Sequence, residues 1–302
     1  MTDAKKTNHE RPRARVKESK GNRVFDVVNV ILMTLFALII IIPMWNVVIS
    51  SFAGKNAGTF VFWPKEVSIA NYIRVFSDNS IWQSMFISVA KTVVGVVFHL
   101  FLCSIVAYAL SKRDLKGRKL YSAMGIVTMF FSGGMIPTYL LIKSLGLLNS
   151  FWVYILPAMF SYYDMVILMN FFRDIPDSLE ESAKIDGASD WRVFFSIIVP
   201  LSKPALATIG LFHGVWQWND FMTTKLYVTN EALYPLQMRL YDIIVQAQAA
   251  ASNGLNAQVS IATTSKGVQL ATIVVTMLPI LILYPFLQKY FVTGTMLGAV
   301  KE

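Results

Sequence analysis

The chain has 302 residues, of which 55% are hydrophobic and only 15% are charged. A soluble domain carries about 25% charged residues, so this composition excludes an ordinary water-soluble protein, and its hydrophobicity excludes a disordered one. A single cysteine excludes a disulfide scaffold. The net charge of +9 does not indicate nucleic-acid binding, because the basic residues flank long apolar runs instead of covering a polar domain.

Six stretches are apolar enough to cross a bilayer as helices, since a spanning helix needs about 20 mostly apolar residues. The first stretch is longer than the apolar core of a signal peptide, so we expect a retained helix, with cleavage as the minor alternative. Residues 1–24 form a polar, basic leader that we expect to be disordered, and residues 25–302 form one membrane domain. The six stretches cover about 27–49, 85–110, 120–142, 151–172, 204–227 and 268–290.

The distribution of lysine and arginine predicts the orientation of these helices. Residues 1–24 contain eight basic residues and residues 111–119 contain five, whereas the segment between the first two stretches contains only Lys55, Lys65 and Arg74. Cytoplasmic segments of membrane proteins are enriched in Lys and Arg. The sequence therefore predicts six transmembrane helices with both termini in the cytoplasm.

A break is predicted in the third stretch, where Ser132, Gly133 and Gly134 are followed one turn later by Pro137. Broken helices occur in membranes where the backbone is buried or lines a cavity. Close helix packing around the glycines is an equally good interpretation, and the sequence alone leaves both open.

The segment 173–203 connects the fourth and fifth stretches and is net acidic, although the predicted orientation places it in the cytoplasm. Ser178 and Glu181 fit a capping box that starts a short helix, and Asp186-Gly187 fits a turn that ends it. Ser189 is a second candidate cap. After Ser189, apolar residues recur at helical spacing, namely Trp191, Phe194, Phe195 and Ile198. The pattern predicts a helix-turn-helix that either binds a partner or lies in the lipid interface.

The same segment carries the strongest resemblance to a known family. Residues 181–188 (ESAKIDGA) and 197–200 (IIVP) resemble the EAA loop of ABC-importer permeases, with Ser182 and Val199 as small departures from the usual Ala and Leu. Residues 135–141, 145–150, 155–157, 218–220, 288–294 and 298–301 are similar to the carbohydrate-uptake permeases. Residues 131–134, 234–237 and 284–287 are similar to the YtcP/LplC-like branch, which serves complex oligosaccharides.

This resemblance implies a type I ABC-importer permease fold with a cytoplasmic coupling helix that docks on a separate ATPase. The partners that it implies are a second homologous permease, two copies of the ABC ATPase, an extracytoplasmic solute-binding protein that meets residues 52–80 and 229–266, and the lipid bilayer of the bacterial plasma membrane. No nucleic acid is implied. The coupling residues carried over from the motif and its apolar stripe are Glu181, Ala183, Asp186, Gly187, Ala188, Trp191, Phe194, Phe195 and Pro200.

The chain itself is not expected to be an enzyme or to bind a cofactor or metal. It contains no Gly-x4-Gly-Lys-Ser/Thr phosphate loop, so ATP and Mg²⁺ belong to the partner ATPase. The alternative hypothesis is a self-sufficient secondary transporter, which predicts internal repeats and paired broken helices. We find no convincing repeat between residues 25–150 and 151–302.

Polar and aromatic residues within the apolar stretches are candidates for the translocation path, because such groups usually face the bundle interior or a watery cavity. Ordinary helix packing is the competing interpretation. We expect Lys91 to extend to the lipid interface and His99 to be packed and hydrogen-bonded. The candidate path residues are Ser132, Tyr163, Asp164, His213, Trp216, Trp218, Asn219 and Asp220.

Overall fold

The computed structural model describes residues 20–53, 62–64, 66–252 and 265–299. Within these ranges every regular element is helical and no strand occurs, which confirms the all-α prediction. Most of the leader, residues 1–19, lies outside the described residues. Helix α1 begins at Lys20, inside the stretch 1–24 that was expected to be disordered.

Three helices in the described part of the chain are long and apolar enough to cross a membrane unaided. They are α1 (Lys20–Ser51), α3 (Asn79–Ser111) and α13 (Ser265–Ala299). A short helix, α2 (Ala70–Phe76), precedes α3, and both α1 and α2 pack against α13.

Three further candidate crossings are bent pairs of helices, which brings the described total to as many as six. α4 (Arg118–Phe130) meets α5 (Met135–Ser144) at 114°, and two 3₁₀ turns (Phe151–Tyr154 and Leu156–Ala158) meet α6 (Tyr162–Arg173) at 52°. The helical segment Asp190–Leu201 meets α10 (Lys203–Asn219) at 78°. The break predicted at Ser132–Gly134 is confirmed, because α4 ends directly before it and Gly134 adopts a positive φ of 83°.

The segment between α6 and α10 contains the predicted helix-turn-helix. α7 (Asp177–Ile185) is followed by the predicted turn at Asp186 and Gly187, where the φ of +80° at Gly187 suits glycine. Ser189 Oγ then accepts a hydrogen bond from the backbone N–H of Arg192 at the start of α8 (Asp190–Val193). The prediction of a capping box at Ser178 was wrong. α7 starts at Asp177, so Ser178 lies inside the helix. The N-cap residue of α7 is Pro176, which makes no side-chain cap bond.

The chain then remains helical through a π turn (Phe194–Ile198) and α9 (Val199–Leu201) before the bend into α10. At the opposite end of the bundle lie α11 (Met222–Tyr227), a 3₁₀ turn (Glu231–Leu233) and α12 (Leu236–Ser252). The Gln83 side chain donates to the Ala232 carbonyl there, and the Leu236 N–H donates to Ser88 Oγ, which fixes this region to the first turns of α3.

The main core lies where α3 packs between α6 and α10. Cys103 and Ala107 of α3, Met165 and Leu168 of α6 and Ile209 of α10 are all at most 1% exposed. By contrast, the outer faces of α1, α3, α4 and α13 expose long apolar surfaces, as expected for a protein surrounded by hydrocarbon.

Candidate functional site

Two features are candidates for function, and the first is a surface at the end of the bundle where α3 and α6 terminate. Trp191 and Phe195 are 59% and 52% exposed, and their rings stack with centroids 6.1 Å apart. Ile185, at the end of α7 and six residues before Trp191, is 86% exposed. We call these three side chains the apolar loop surface. Exposed large apolar side chains on a polar loop are typical of a binding site for a partner.

The other side of this loop is embedded in the main core. Phe194 and Ile198 are buried, and Ala183 and Ala188 pack against the same cluster. The predicted apolar stripe is therefore divided: Phe194 and Ile198 anchor the loop, whereas Trp191 and Phe195 remain exposed. Helical spacing identifies one apolar face and cannot indicate which residues of that face the bundle itself covers.

Ion pairs fix the loop to neighbouring elements. Lys112, directly after α3, pairs with Glu180 of α7 and lies 4.3 Å from the centre of the Tyr108 ring. Lys184 pairs with Asp190 at 3.1 Å, and this hydrogen bond raises the pKa of Lys184. Glu181 is exposed and forms no ion pair with any described residue.

The remaining predicted coupling residues also face outward. Asp186, Gly187 and Pro200 are exposed, and a Cβ atom added to Gly187 would meet nothing within 4 Å. The loop thus offers a carboxylate at Glu181, an open backbone turn and the apolar loop surface on one connection. This arrangement can bind a partner that has a hydrophobic cleft and a basic group.

The second feature is a membrane cavity of about 430 Å³ between α3, α6 and α10. It forms where the helical ladder is interrupted before α6, since Pro157, Ala158 and Ser161 line it. Ser161 Oγ accepts a hydrogen bond from the Asp164 N–H and starts α6. The other lining side chains combine rings and polar groups, namely His99, Phe160, Asp164, Phe212, His213 and Trp216.

Polar contacts organise one wall of this membrane cavity. His99 Nε2 lies 3.1 Å from Asp164 Oδ2, and His99 Nδ1 lies 3.2 Å from the Ala158 carbonyl oxygen. The His213 ring stacks on the His99 ring with a centroid distance of 3.7 Å and an angle of 7°, and the Trp216 ring lies 5.6 Å from His213. His99 is buried and hydrogen-bonded as expected, and it also reaches the cavity, which the sequence did not indicate.

The structure brings together Asp164, His213 and Trp216 of the eight predicted path residues. Tyr163 is exposed on the outer face of α6, and Trp218 is buried elsewhere with its Nε1 donating to the Thr276 carbonyl. Ser132 is exposed at the break after α4, where its Oγ accepts from the Gly134 N–H. Asn219 is exposed, and its side chain accepts a hydrogen bond from Gln237.

Asp220 pairs with Lys91, which contradicts the prediction that Lys91 extends to the lipid interface. Lys91 is fully buried and donates to the Asp220 carbonyl at 2.7 Å, with the carboxylate Oδ2 at 3.7 Å. Its ammonium also lies 5.1 Å from the centre of the Tyr154 ring. The physical reason is the end of α10: Asp220 follows the helix, and its carbonyl needs a donor from outside it. The sequence signal that could have predicted this pair is the presence of opposite charges in two apolar stretches.

A helical bundle of several apolar crossings, a cavity between its central helices and exposed apolar side chains on a connecting loop are features of the permease class of membrane transport proteins. The sequence profile of the family described as "Binding-protein-dependent transport system inner membrane component" matches residues 13–296. The chain therefore belongs to this family. It is a multi-pass inner-membrane permease subunit and not an enzyme, and the resemblance given by the EAA-like loop is confirmed.

Curated relatives cover almost the full length of the chain. It is 42% identical over 283 residues to the polygalacturonan/rhamnogalacturonan transport system permease protein YtcP of Bacillus subtilis (strain 168), covering 93% of this chain and 99% of that protein. It is 43% identical over 286 residues to Protein LplC of the same organism, covering 94% and 97%. The branch suggested by residues 131–134, 234–237 and 284–287 is thus confirmed.

Solved structures give the same fold. One chain of a bacterial ABC transporter involved in the import of the acidic polysaccharide alginate matches with a TM-score of 0.82 and 32% identity, covering 91% of this chain and 99% of that one. A chain of a bacterial alginate ABC transporter in complex with an alginate pentasaccharide-bound periplasmic protein matches with a TM-score of 0.57 at 14% identity, which supports the fold alone. The ABC-importer permease fold is confirmed. These relatives favour a binding-protein-dependent importer subunit over a secondary transporter.

Proposed function

We propose that this permease forms half of the translocation pathway of an ATP-driven importer and takes up acidic oligosaccharides by alternating access. The substrate class is supported by relatives that are named for polygalacturonan, rhamnogalacturonan and alginate. The other half of the pathway would be a second, homologous permease. Two copies of an ABC ATPase would supply the energy with ATP and Mg²⁺, and an extracytoplasmic binding protein would deliver the sugar.

The observation that carries the coupling role is the two-sided loop between α6 and α10. One side presents the apolar loop surface to the outside, and the other side packs Phe194 and Ile198 into the core formed by α3, α6 and α10. A partner that moves the exposed side therefore also moves the helices that the buried side contacts. The pair of Lys112 with Glu180 adds a direct connection to the end of α3.

The membrane cavity lies between the same three helices. His99 belongs to α3, Asp164 to α6 and His213 and Trp216 to α10. Aromatic faces can stack on the C–H surfaces of a sugar ring, and the polar groups beside them can bind hydroxyls. We assign this cavity to the translocation path, since a displacement of the loop would change its shape directly.

Alanine substitution of the exposed aromatic pair tests the coupling role. We expect Trp191→Ala together with Phe195→Ala to abolish co-purification of the ATPase, and sugar-stimulated ATP hydrolysis with it, at normal membrane expression, because exposed side chains add little to the stability of the bundle itself. Phe86→Ala is the matched control, since Phe86 is 70% exposed on α3 at the opposite end of the bundle. Unchanged ATPase binding by the double variant would contradict the proposal.

Cysteine labelling tests the proposed orientation with both termini in the cytoplasm. The wild-type chain has a low background for this assay, because its one cysteine, Cys103, is fully buried. A membrane-impermeant maleimide applied to intact cells should label Asn230→Cys, in the segment before α12, and should label Ser178→Cys, in α7, only after the membrane is permeabilised. The reverse pattern would invert the orientation and place the apolar loop surface out of reach of any ATPase.

A further inference from the structure

Three metal-ligating side chains from three helices meet at the wall of the membrane cavity. His99 lies on α3, Asp164 lies in the first turn of α6 and His213 lies on α10. Donor atoms of His99, Asp164 and His213 all lie within 4.8 Å of one another. Among the described residues these three helices thus converge on one small volume with two nitrogens and an oxygen.

His99 is held from two sides at this point. Its Nδ1 lies 3.2 Å from the Ala158 carbonyl oxygen, which only accepts hydrogen bonds, and its Nε2 lies 3.1 Å from Asp164 Oδ2. A second proton on the ring satisfies the contact with Asp164, and so does a metal ion bound between Nε2 and the carboxylate. A backbone carbonyl that holds one imidazole N–H while the other nitrogen faces a carboxylate is the usual surrounding of a metal-bound histidine.

His213 gives a second, independent indication. Among the described residues its buried Nε2 has no hydrogen-bond partner, and the residue is only 8% exposed. An unsatisfied polar atom in the interior is rare and points to a missing ligand such as an ion or water. Because the His213 ring stacks on the His99 ring, binding of one ion by both residues requires the His213 ring to turn about χ2.

The donor set indicates the kind of ion. Two imidazole nitrogens and one carboxylate oxygen are a ligand set of zinc sites that keep a fourth position open, and the set also suits other divalent transition metals. With bonds of about 2.0–2.2 Å, neighbouring ligands are separated by about 3.3–3.6 Å, close to the 3.1 Å between His99 Nε2 and Asp164 Oδ2.

We propose that His99, Asp164 and His213 bind a divalent transition-metal ion of the zinc class at the wall of the membrane cavity. An ion held by α3, α6 and α10 together fixes the relative positions of these helices. Given the alternating-access function proposed above, the bound ion arrests transport in one arrangement. The binding site itself does not depend on that function.

Metal binding is measured first, on the assembled importer purified without a polyhistidine tag. After equilibration with Zn²⁺ and removal of free metal, elemental analysis should find one ion per copy of this chain more in the wild type than in His213→Gln or His99→Gln. With Co²⁺ as the probe, the absorption spectrum of the wild type should show d–d bands that both histidine variants lack. His9→Gln, which removes a histidine of the leader, is the matched control and should bind like the wild type.

Equal metal content in the wild type and in both histidine variants overturns the proposal and leaves a protonated His99 paired with Asp164. Monodisperse elution and retained ATPase subunits show that each variant is assembled. Because neither sugar nor ATP enters the binding measurement, failure of the metal site leaves the proposed transport function untouched.

A second measurement tests the consequence of binding. Micromolar Zn²⁺ should lower the ATP hydrolysis stimulated by sugar and binding protein at least tenfold in the wild type, and a chelator that spares Mg²⁺ should restore it. His213→Gln should lose most of this inhibition. Inhibition that is equal in His213→Gln and the wild type would place the inhibitory ion elsewhere and contradict the proposed arrest of transport.

Discussion

Replacing Lys91 by methionine should destabilise the protein, although methionine is the more apolar residue. Lys91 is fully buried and makes three contacts: the Asp220 carbonyl at 2.7 Å, the Asp220 carboxylate at 3.7 Å and the Tyr154 ring at 5.1 Å. Lys91→Met removes all three and leaves Asp220, whose side chain is 10% exposed, without its cation. The geometry predicts a lower free energy of unfolding.

The size of this loss in the free energy of unfolding depends on the interactions that Asp220 keeps after Lys91 is replaced. Breaking a buried ion pair by removing one partner costs about 3–5 kcal/mol. Asp220 Oδ1 still accepts a hydrogen bond from the Thr223 N–H at 3.2 Å, which keeps part of the charge compensated. We therefore expect the lower end, about 3 kcal/mol. Removing both charges, with Lys91→Met and Asp220→Asn together, should recover about 1–2 kcal/mol relative to the sum of the single losses.

Unfolding in mixed micelles, titrated with a denaturing detergent and followed by tryptophan fluorescence, measures these free energies. Lys143→Met is the matched control, because Lys143 is exposed at the end of α5 and should change stability by less than about 0.5 kcal/mol. A Lys91→Met variant as stable as this control would refute the buried pair. So would single losses that simply add in the double variant, since additivity means that the two side chains do not interact.

Three further predictions concern other parts of the chain. A Cβ at Gly125 would lie 1.9 Å from the Tyr162 ring, so Gly125→Ala should lower the free energy of unfolding by about 1–3 kcal/mol in the same assay. Adding Tyr162→Leu should relieve most of that cost. An unchanged stability of Gly125→Ala would contradict the close approach of α4 and α6. A Cβ at Gly187 would meet nothing within 4 Å, so Gly187→Ala should cost only the backbone penalty of about 1–2 kcal/mol at φ +80°. This cost should lower the affinity for the ATPase rather than the free energy of unfolding of the bundle. A larger loss of global stability would show that the turn is packed. Burial raises the pKa of the Asp242 carboxyl, and Arg239 lowers that pKa by less, so the contribution of Asp242 to stability is present at acid pH and is lost as the pH rises through the folded pKa. Asp242→Asn should therefore stabilise the protein more at pH 7 than at pH 4. A reversed pH dependence would mean that the Arg239 interaction dominates.

Local signals in the sequence predicted local structure well. The break at Ser132–Gly134, the positive φ of Gly187 and the cap at Ser189 are each determined by residues within one turn of the position concerned. The capping box at Ser178 failed for an equally local reason: Pro176 occupies the N-cap position, and α7 begins two residues earlier than a cap at Ser178 would place it.

The sequence alone could not predict which residues contact each other across the tertiary structure. Lys91 and Asp220 are 129 residues apart in the chain, and His99 meets Asp164 across 65 residues. In a helix that is apolar on every side, periodicity does not distinguish the face that meets another helix from the face that meets lipid. For this reason the sequence could nominate Trp218 and Asn219 for the path but could not show that they point away from Trp216 and the membrane cavity.

Helix α3 is constrained at three levels. In its first half Lys91 closes the terminus of α10, further along His99 forms a wall of the membrane cavity, and directly after the helix Lys112 holds α7. Substitutions on the buried side of α3 can therefore alter stability, cavity or loop, which leaves that side of the helix little freedom to vary during evolution. Phe160, Phe212 and Trp216 line the same cavity with part of their surface exposed, so new substrate preferences should arise most readily at these three positions.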